Sequence, residues 1–61
     1  MESLKENFLR AYAGVLESLR KEIIAVVDGK TYNWNSAYFE IKNDTPLSKK
    51  ILNSLKNIGI I

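Results

Sequence analysis

A chain of 61 residues makes one small domain, which buries a smaller share of its surface than a larger domain and is only marginally stable. It contains no cysteine and no histidine, which excludes disulfide bonds and removes the commonest metal ligand and general base. Because 46% of the residues are hydrophobic and 26% charged, the composition is globular, and self-association remains as the way to stabilise so small a core.

Composition, charge and hydropathy limit the cellular locations in which this protein is expected. A cysteine-free composition fits a reducing cytoplasm, where we expect this protein. Glu2 and Glu6 stand where a signal peptide carries basic residues, and the longest apolar run, IIAVV at 23–27, is far shorter than the roughly 20 residues of a membrane span, so we expect no membrane partner. Residues 1–29 carry four basic and five acidic residues, whereas 30–61 carry five and two, so the C-terminal half holds the net positive charge.

The N-terminal segment predicts an amphipathic helix. In SLKE, residues 3–6, Ser3 and Glu6 form a capping box. Glu22 would fall on the centre of the apolar stripe, where a charge is costly, so we expect the helix to end near Lys21. The stripe at helical spacing consists of Leu4, Phe8, Ala11, Tyr12, Val15 and Leu19, widened by Leu9 and Leu16.

Asp28-Gly29 predicts a β-hairpin, because a type I′ turn requires positive φ at both positions. We interpret Tyr32 and Trp34 as core side chains that the helices cover, rather than as rings that stack on a ligand. The expected pairs are Val27 with Lys30, Ala25 with Tyr32 and Ile23 with Trp34, which puts Ile23, Ala25, Tyr32 and Trp34 on one face and Ile24, Val26, Thr31 and Asn33 on the other.

Residues 35–42, NSAYFEIK, admit two interpretations. As a third strand, which β-propensity favours, they would add Ala37, Phe39 and Ile41 to the face that carries Tyr32 and Trp34. As a short helix capped by Asn35 or Ser36, they would align Trp34, Ala37, Tyr38 and Ile41 on one stripe.

The last element is predicted to be a helix with Thr45 as N-cap and Pro46 at its first position. Gly59 would end it, and the terminal Ile60 and Ile61 would pack on something. The expected buried stripe is Leu47, Ile51, Leu55 and Ile58, with Leu52 beside it.

The predicted fold is therefore one α+β domain over 1–61. It has an N-terminal helix, a hairpin that a third strand could extend to a three-stranded meander, and a C-terminal helix, with both helices on one sheet face. The last eleven residues, ILNSLKNIGII, resemble the end of the helix that precedes the wing in winged-helix domains, and we carry no function over from this likeness.

No arrangement of side chains indicates catalysis. Without histidine, a serine nucleophile would need a lysine base, and no serine and lysine stand in a recognisable motif. Glu40 and Asp44 are too few ligands for calcium, and the isolated glycines form no phosphate loop. We expect neither an enzyme nor a bound cofactor or metal.

We expect a non-enzymatic protein–protein interaction module that forms a homodimer. The apolar arc of the N-terminal helix is wider than one core-facing stripe requires, and surplus apolar surface marks an interface. The candidate contacts are Leu9, Leu16, Ile24, Val26, Tyr38 and Ile61.

The alternative is nucleic-acid binding by the last helix. If residues 36–42 are helical, a three-residue turn joins them to it, which is the spacing of a helix-turn-helix. No arginine follows Arg20, which weakens base readout because arginine to guanine is the commonest specific contact. The basic, asparagine-bearing face that would contact the nucleic acid carries Lys49, Lys50, Asn53 and Lys56.

Overall fold

The computed structural model describes residues 3–61; Glu2, which entered the argument against a signal peptide, lies outside them. Within this range no helix combines the length and apolar character that crossing a membrane requires. The α+β prediction is confirmed. In chain order the elements are α1 (Leu4–Ala13), one turn of 3-10 helix (Glu17–Leu19), β1 (Ile23–Val27), β2 (Lys30–Asn33), α2 (Trp34–Lys42) and α3 (Pro46–Asn57), and β1 pairs with β2 in an antiparallel hairpin.

The core lies between one face of the hairpin and the helices. Helices α2 and α3 pack on the hairpin, and α1 packs on α2 and α3. The Phe8 ring of α1 stacks on Trp34 with 5.6 Å between ring centres. Tyr32 is buried, as predicted, and Trp34 packs against the core. The buried apolar side chains are Phe8, Ala25, Val27, Tyr32, Ala37, Ile41, Ile51 and Leu55.

Helix α1 starts as predicted and ends well before the predicted position near Lys21. The Ser3 hydroxyl oxygen accepts a hydrogen bond from the Glu6 amide at 3.1 Å. The helix stops at Ala13, with Gly14 as its C-cap, and Leu16 is already extended at φ −60°, ψ 140°. Glycine is a poor helix former, so the apolar periodicity beyond Gly14 did not suffice to continue the helix.

The hairpin turn is as predicted, and its open end is not. Asp28 and Gly29 have φ of 52° and 80°, and Ala25 pairs with Tyr32. Ile23 pairs with Asn33 rather than Trp34, because Trp34 already belongs to α2 and the register shifts between Ile23 and Ala25. This irregularity leaves Ile23 exposed instead of on the core face.

Residues 34–42 are helical, so the third-strand interpretation is wrong. The cap is Asn33, not Asn35 or Ser36: the Asn33 side-chain oxygen accepts from the Ser36 amide at 2.7 Å, and the Ser36 hydroxyl accepts from the Asn33 amide at 2.9 Å. This capping box, together with burial of the helical stripe, outweighs the β-propensity of the segment. Ala37 and Ile41 are fully buried and Trp34 and Tyr38 partly so, whereas Phe39, placed inside by the strand interpretation, is exposed.

Helix α3 begins as predicted, with Thr45 before Pro46. The Thr45 hydroxyl bonds to the Glu40 carboxylate at 3.2 Å rather than capping an α3 amide. Ile51 and Leu55 are fully buried, and Leu47 and Leu52 pack beside them.

The C-terminal end of α3 closes in a Schellman motif around Gly59, whose φ is 85°. The Ile60 amide donates to the Leu55 carbonyl at 3.0 Å, and the Gly59 amide donates to the Lys56 carbonyl at 3.1 Å. This turn directs Ile60 and Ile61 back onto the core, as expected. Ile58 is the helix C-cap and is exposed, so its assignment to the buried stripe is wrong.

Candidate functional site

The predicted interface residues are dispersed over the fold. Leu16 precedes the 3-10 turn and is 69% exposed, and Val26, on the outer hairpin face opposite Thr31, is 63% exposed. The other four are partly buried and pack against the core, so their apolar surface is largely used within the chain; they are Leu9, Ile24, Tyr38 and Ile61.

A different apolar surface emerges where α1 gives way to the connector, which we define as residues 14–22. Leu19 is 45% exposed and Ile23, directly after the connector, is 56% exposed. The Leu19 amide donates to the Leu16 carbonyl at 2.8 Å, which closes the 3-10 turn between these two residues. We call Leu16, Leu19 and Ile23 the connector patch.

Sequence reasoning missed two members of this patch. A helix that continued to Lys21 would bury Leu19, and an undisturbed hairpin register would bury Ile23. Gly14 was the local signal that α1 could end early. The exposure of Ile23 had no local signal, since it follows from the helical start at Trp34.

A stack of side chains holds the connector against α1. The Arg20 guanidinium carbon lies 4.2 Å from the centre of the Tyr12 ring, and the Tyr38 ring lies 4.3 Å away at 12° to it. One ring face has no room for both groups at these distances, so Tyr12 lies between them. Planar cations and parallel rings are favourable partners for an aromatic face.

Hydrogen bonds extend this stack to the start of α2. The Tyr12 hydroxyl donates to the Asn35 side-chain oxygen at 3.0 Å, and the Asn35 amide donates to the Arg20 carbonyl at 3.2 Å. We call Tyr12, Arg20, Asn35 and Tyr38 the aromatic clasp. Because the clasp fixes the backbone on both sides of the 3-10 turn, the apolar side chains of the connector are held in place before any partner arrives.

An open depression adjoins the connector patch. It has a volume of about 690 Å³ and is lined by Leu16, Glu17, Ser18 and Lys21. Glu17 and Lys21 add opposite charges to its lining, together with the exposed Leu16. Protein contacts likewise combine apolar and charged side chains.

The predicted nucleic-acid residues, by contrast, are brought together. Lys49, Lys50, Asn53 and Lys56 are all exposed on α3, on the side away from the buried part of the helix. The Lys50 ammonium lies 2.9 Å from the Asp28 carboxylate. Helix α2 ends at Lys42 and α3 begins at Pro46, so three residues join the two helices, a spacing that helix-turn-helix motifs also have.

Within residues 3–61, the structure gathers no group of three or more His, Cys, Asp and Glu side chains that could hold a metal ion. Comparison with protein-family models, with curated proteins and with solved structures finds no significant match to this chain. The connector patch and the exposed face of α3 are the two candidate functional surfaces of the described residues.

Proposed function

We propose that this protein is a non-enzymatic protein–protein interaction module that forms a homodimer through the connector patch. The observation that supports it is the exposure of three large aliphatic side chains within eight residues: Leu16, Leu19 and Ile23. The aromatic clasp holds the connector in place, although the side chains of the connector patch are largely exposed and cover little of the protein's own core. The cysteine-free composition supports a cytoplasmic location.

The gain from covering this patch is large for a chain of this size. Burying a whole leucine side chain contributes about 1.5–3 kcal/mol. Burying only the exposed parts of Leu16 and Leu19 would therefore stabilise the assembly by about 2–3 kcal/mol per protomer. The total stability of a small domain is only about 3–9 kcal/mol at 0.05–0.15 kcal/mol per residue. The free energy gained by burying the patch in a dimer is therefore a substantial fraction of the stability of the isolated domain.

A second copy of the same chain suits the rim of the patch. In a two-fold interface both protomers contribute the same surface. A contact between residue i of one protomer and residue j of its partner therefore occurs twice. Glu17 and Lys21 line the depression together with Leu16. In such an interface Glu17 of one protomer can face Lys21 of its partner, which sets two opposite-charge pairs around an apolar centre.

The test is size-exclusion chromatography with light scattering over a range of protein concentrations. The wild-type chain is expected to be dimeric, with a melting temperature that rises with concentration. Leu16→Ser/Leu19→Ser is expected to raise the dimer Kd about a thousandfold, because the lost burial of about 2 kcal/mol counts once in each protomer. Substitution at Leu9 is avoided because that side chain packs against the core.

The matched control removes equal apolar surface elsewhere. Phe39 and Ile58 are similarly exposed and lie on α2 and at the end of α3. Phe39→Ser/Ile58→Ser is expected to leave the dimer intact. A wild-type monomer at the highest concentration would refute the proposal, and so would equal weakening by the test and control variants.

A further inference from the structure

We propose that the exposed face of α3 binds the phosphate backbone of duplex DNA, with α2, the three-residue turn and α3 acting as a helix-turn-helix. This surface is separate from the connector patch, so the inference goes beyond the homodimer. It rests on the placement of charge on α3, on the engagement of the neighbouring carboxylates and on the burial of the apolar side of the helix.

The order of side chains around α3 matches a groove-facing helix. At about 100° per residue, Lys49 and Lys56 fall on one edge of the exposed arc and Lys50 on the other edge, about 100° away. Asn53 and Asn57 lie between them. Lysines at the two edges can meet phosphates on both sides of a groove, while the asparagine amides, which donate and accept hydrogen bonds, face the base edges.

The carboxylates near this face already have partners. Asp44, in the turn, forms an ion pair with Lys5 of α1 at 2.9 Å, and Glu40 accepts a hydrogen bond from the Thr45 hydroxyl at 3.2 Å. Asp28 pairs with Lys50, but both side chains are well exposed, and such pairs are weak enough for a phosphate to replace the carboxylate.

The free charge on α3 therefore comes from two lysines. No carboxylate within residues 3–61 forms an ion pair with Lys49 or Lys56. Helix α3 itself contains no acidic residue. A polyanion is the partner that this charge distribution fits.

The fold favours DNA over a lipid surface. A helix that binds a membrane must insert its apolar side, and the apolar side of α3 is fully buried at Ile51 and Leu55. The outward side carries three lysines and two asparagines, with Pro46 as its one exposed apolar residue, at the first position of the helix. A helix of this width, about 10–12 Å, fits a major groove about 12 Å wide. Because the face has no arginine, we expect phosphate contacts to dominate and sequence preference to be slight.

The experiment is fluorescence anisotropy of a labelled mixed-sequence duplex with the full chain at increasing salt. Three phosphate contacts, from Lys49, Lys50 and Lys56, predict that log K falls with log salt at a slope of about −2.7, so affinity drops roughly 40-fold between 50 and 200 mM. Lys49→Gln/Lys56→Gln is expected to reduce the slope to about −0.9, a loss of only about 3.5-fold over the same range. Asn53→Ala leaves the slope unchanged, because an amide displaces no counterion.

Matched variants separate this site from net charge. Arg10→Gln/Lys30→Gln removes the same charge from exposed positions on α1 and β2, outside both α3 and the connector patch, and is expected to keep the slope near −2.7. Lys49→Arg/Lys56→Arg keeps both charges and the slope, and circular dichroism checks that every variant is folded.

Three results would overturn the proposal. They are no binding at 50 mM salt, an equal change of slope in the Arg10/Lys30 control, or a loss of binding to vesicles of phosphatidylserine and phosphatidylcholine in the Lys49/Lys56 variant that equals its loss of binding to DNA. The last would reassign the face to anionic lipid. None of them bears on the homodimer, which is tested by variants of the connector patch.

Discussion

Replacing Asn33 by alanine tests the element on which both candidate surfaces depend. The Asn33 side-chain oxygen accepts from the Ser36 amide at 2.7 Å, so Asn33→Ala leaves the first turn of α2 without its cap. Loss of such a cap lowers the free energy of unfolding by about 1 kcal/mol, within a range of 0.5–2. An unfolding entropy of about 2.1 cal/mol/K per residue makes each 1 kcal/mol worth roughly 8 °C in melting temperature for a chain of this length.

The assay is thermal and urea unfolding followed by far-ultraviolet circular dichroism, at one fixed protein concentration because a dimer would make the melting temperature depend on it. Asn33→Asp keeps an oxygen acceptor at the helix N-terminus and is expected to stay near the wild-type value. Asn35→Ala removes only the exposed bond from the Tyr12 hydroxyl and is expected to cost less than half as much. A larger loss for Asn35→Ala than for Asn33→Ala would mean that α2 starts two residues later, and the explanation for the exposed Ile23 would fail.

Two further substitutions probe the stability of the core and of the helix ends. Gly59→Ala is expected to lower the melting temperature by about 8 °C, since an alanine at φ 85° costs about 1 kcal/mol. Gly14→Ala is expected to raise the melting temperature slightly, because Gly14 has a φ of −87° and an added Cβ would be in ordinary contact with the Ala11 carbonyl. A higher melting temperature for Gly59→Ala than for Gly14→Ala would contradict the helix ends described. Leu55→Ala removes a fully buried side chain at about 2–5 kcal/mol, out of a total stability of about 3–9 kcal/mol. We expect the melting temperature to fall by about 16–40 °C, and a sharp melting transition within 5 °C of wild type would contradict the central place of Leu55 in the core.

The features that the sequence predicted correctly are those set by a few neighbouring residues. Asp28-Gly29 is sufficient for the hairpin turn, since both positions need positive φ and these residues adopt it readily. Pro46 marks the start of α3, and Gly59 marks its end through a Schellman motif. Such local signals act in almost any tertiary structure, which is why the sequence alone was sufficient to predict these features.

The errors arose where two valid local signals competed. For residues 35–42, β-propensity and helical spacing pointed to different elements, and the Asn33 capping box together with burial of Ala37 and Ile41 decides between them. For α1, apolar spacing continued past Gly14, but the helix ends there because glycine is a poor helix former. Periodicity reports which side chains can share a face, but it does not report whether a surface exists to cover them.

The candidate surfaces follow from these same decisions. Because Asn33 caps α2, Trp34 leaves the strand, the pairing of Ile23 shifts and its side chain turns outward. Because α1 ends at Ala13, Leu16 and Leu19 sit on the connector rather than in the core. The helical start at Trp34 also places a helix directly before α3, joined to it by residues 43–45. The sequence could list Leu16 and the α3 lysines as candidates, but the exposure of Leu19 depends on where α1 ends, and that of Ile23 on where the Asn33 cap starts α2.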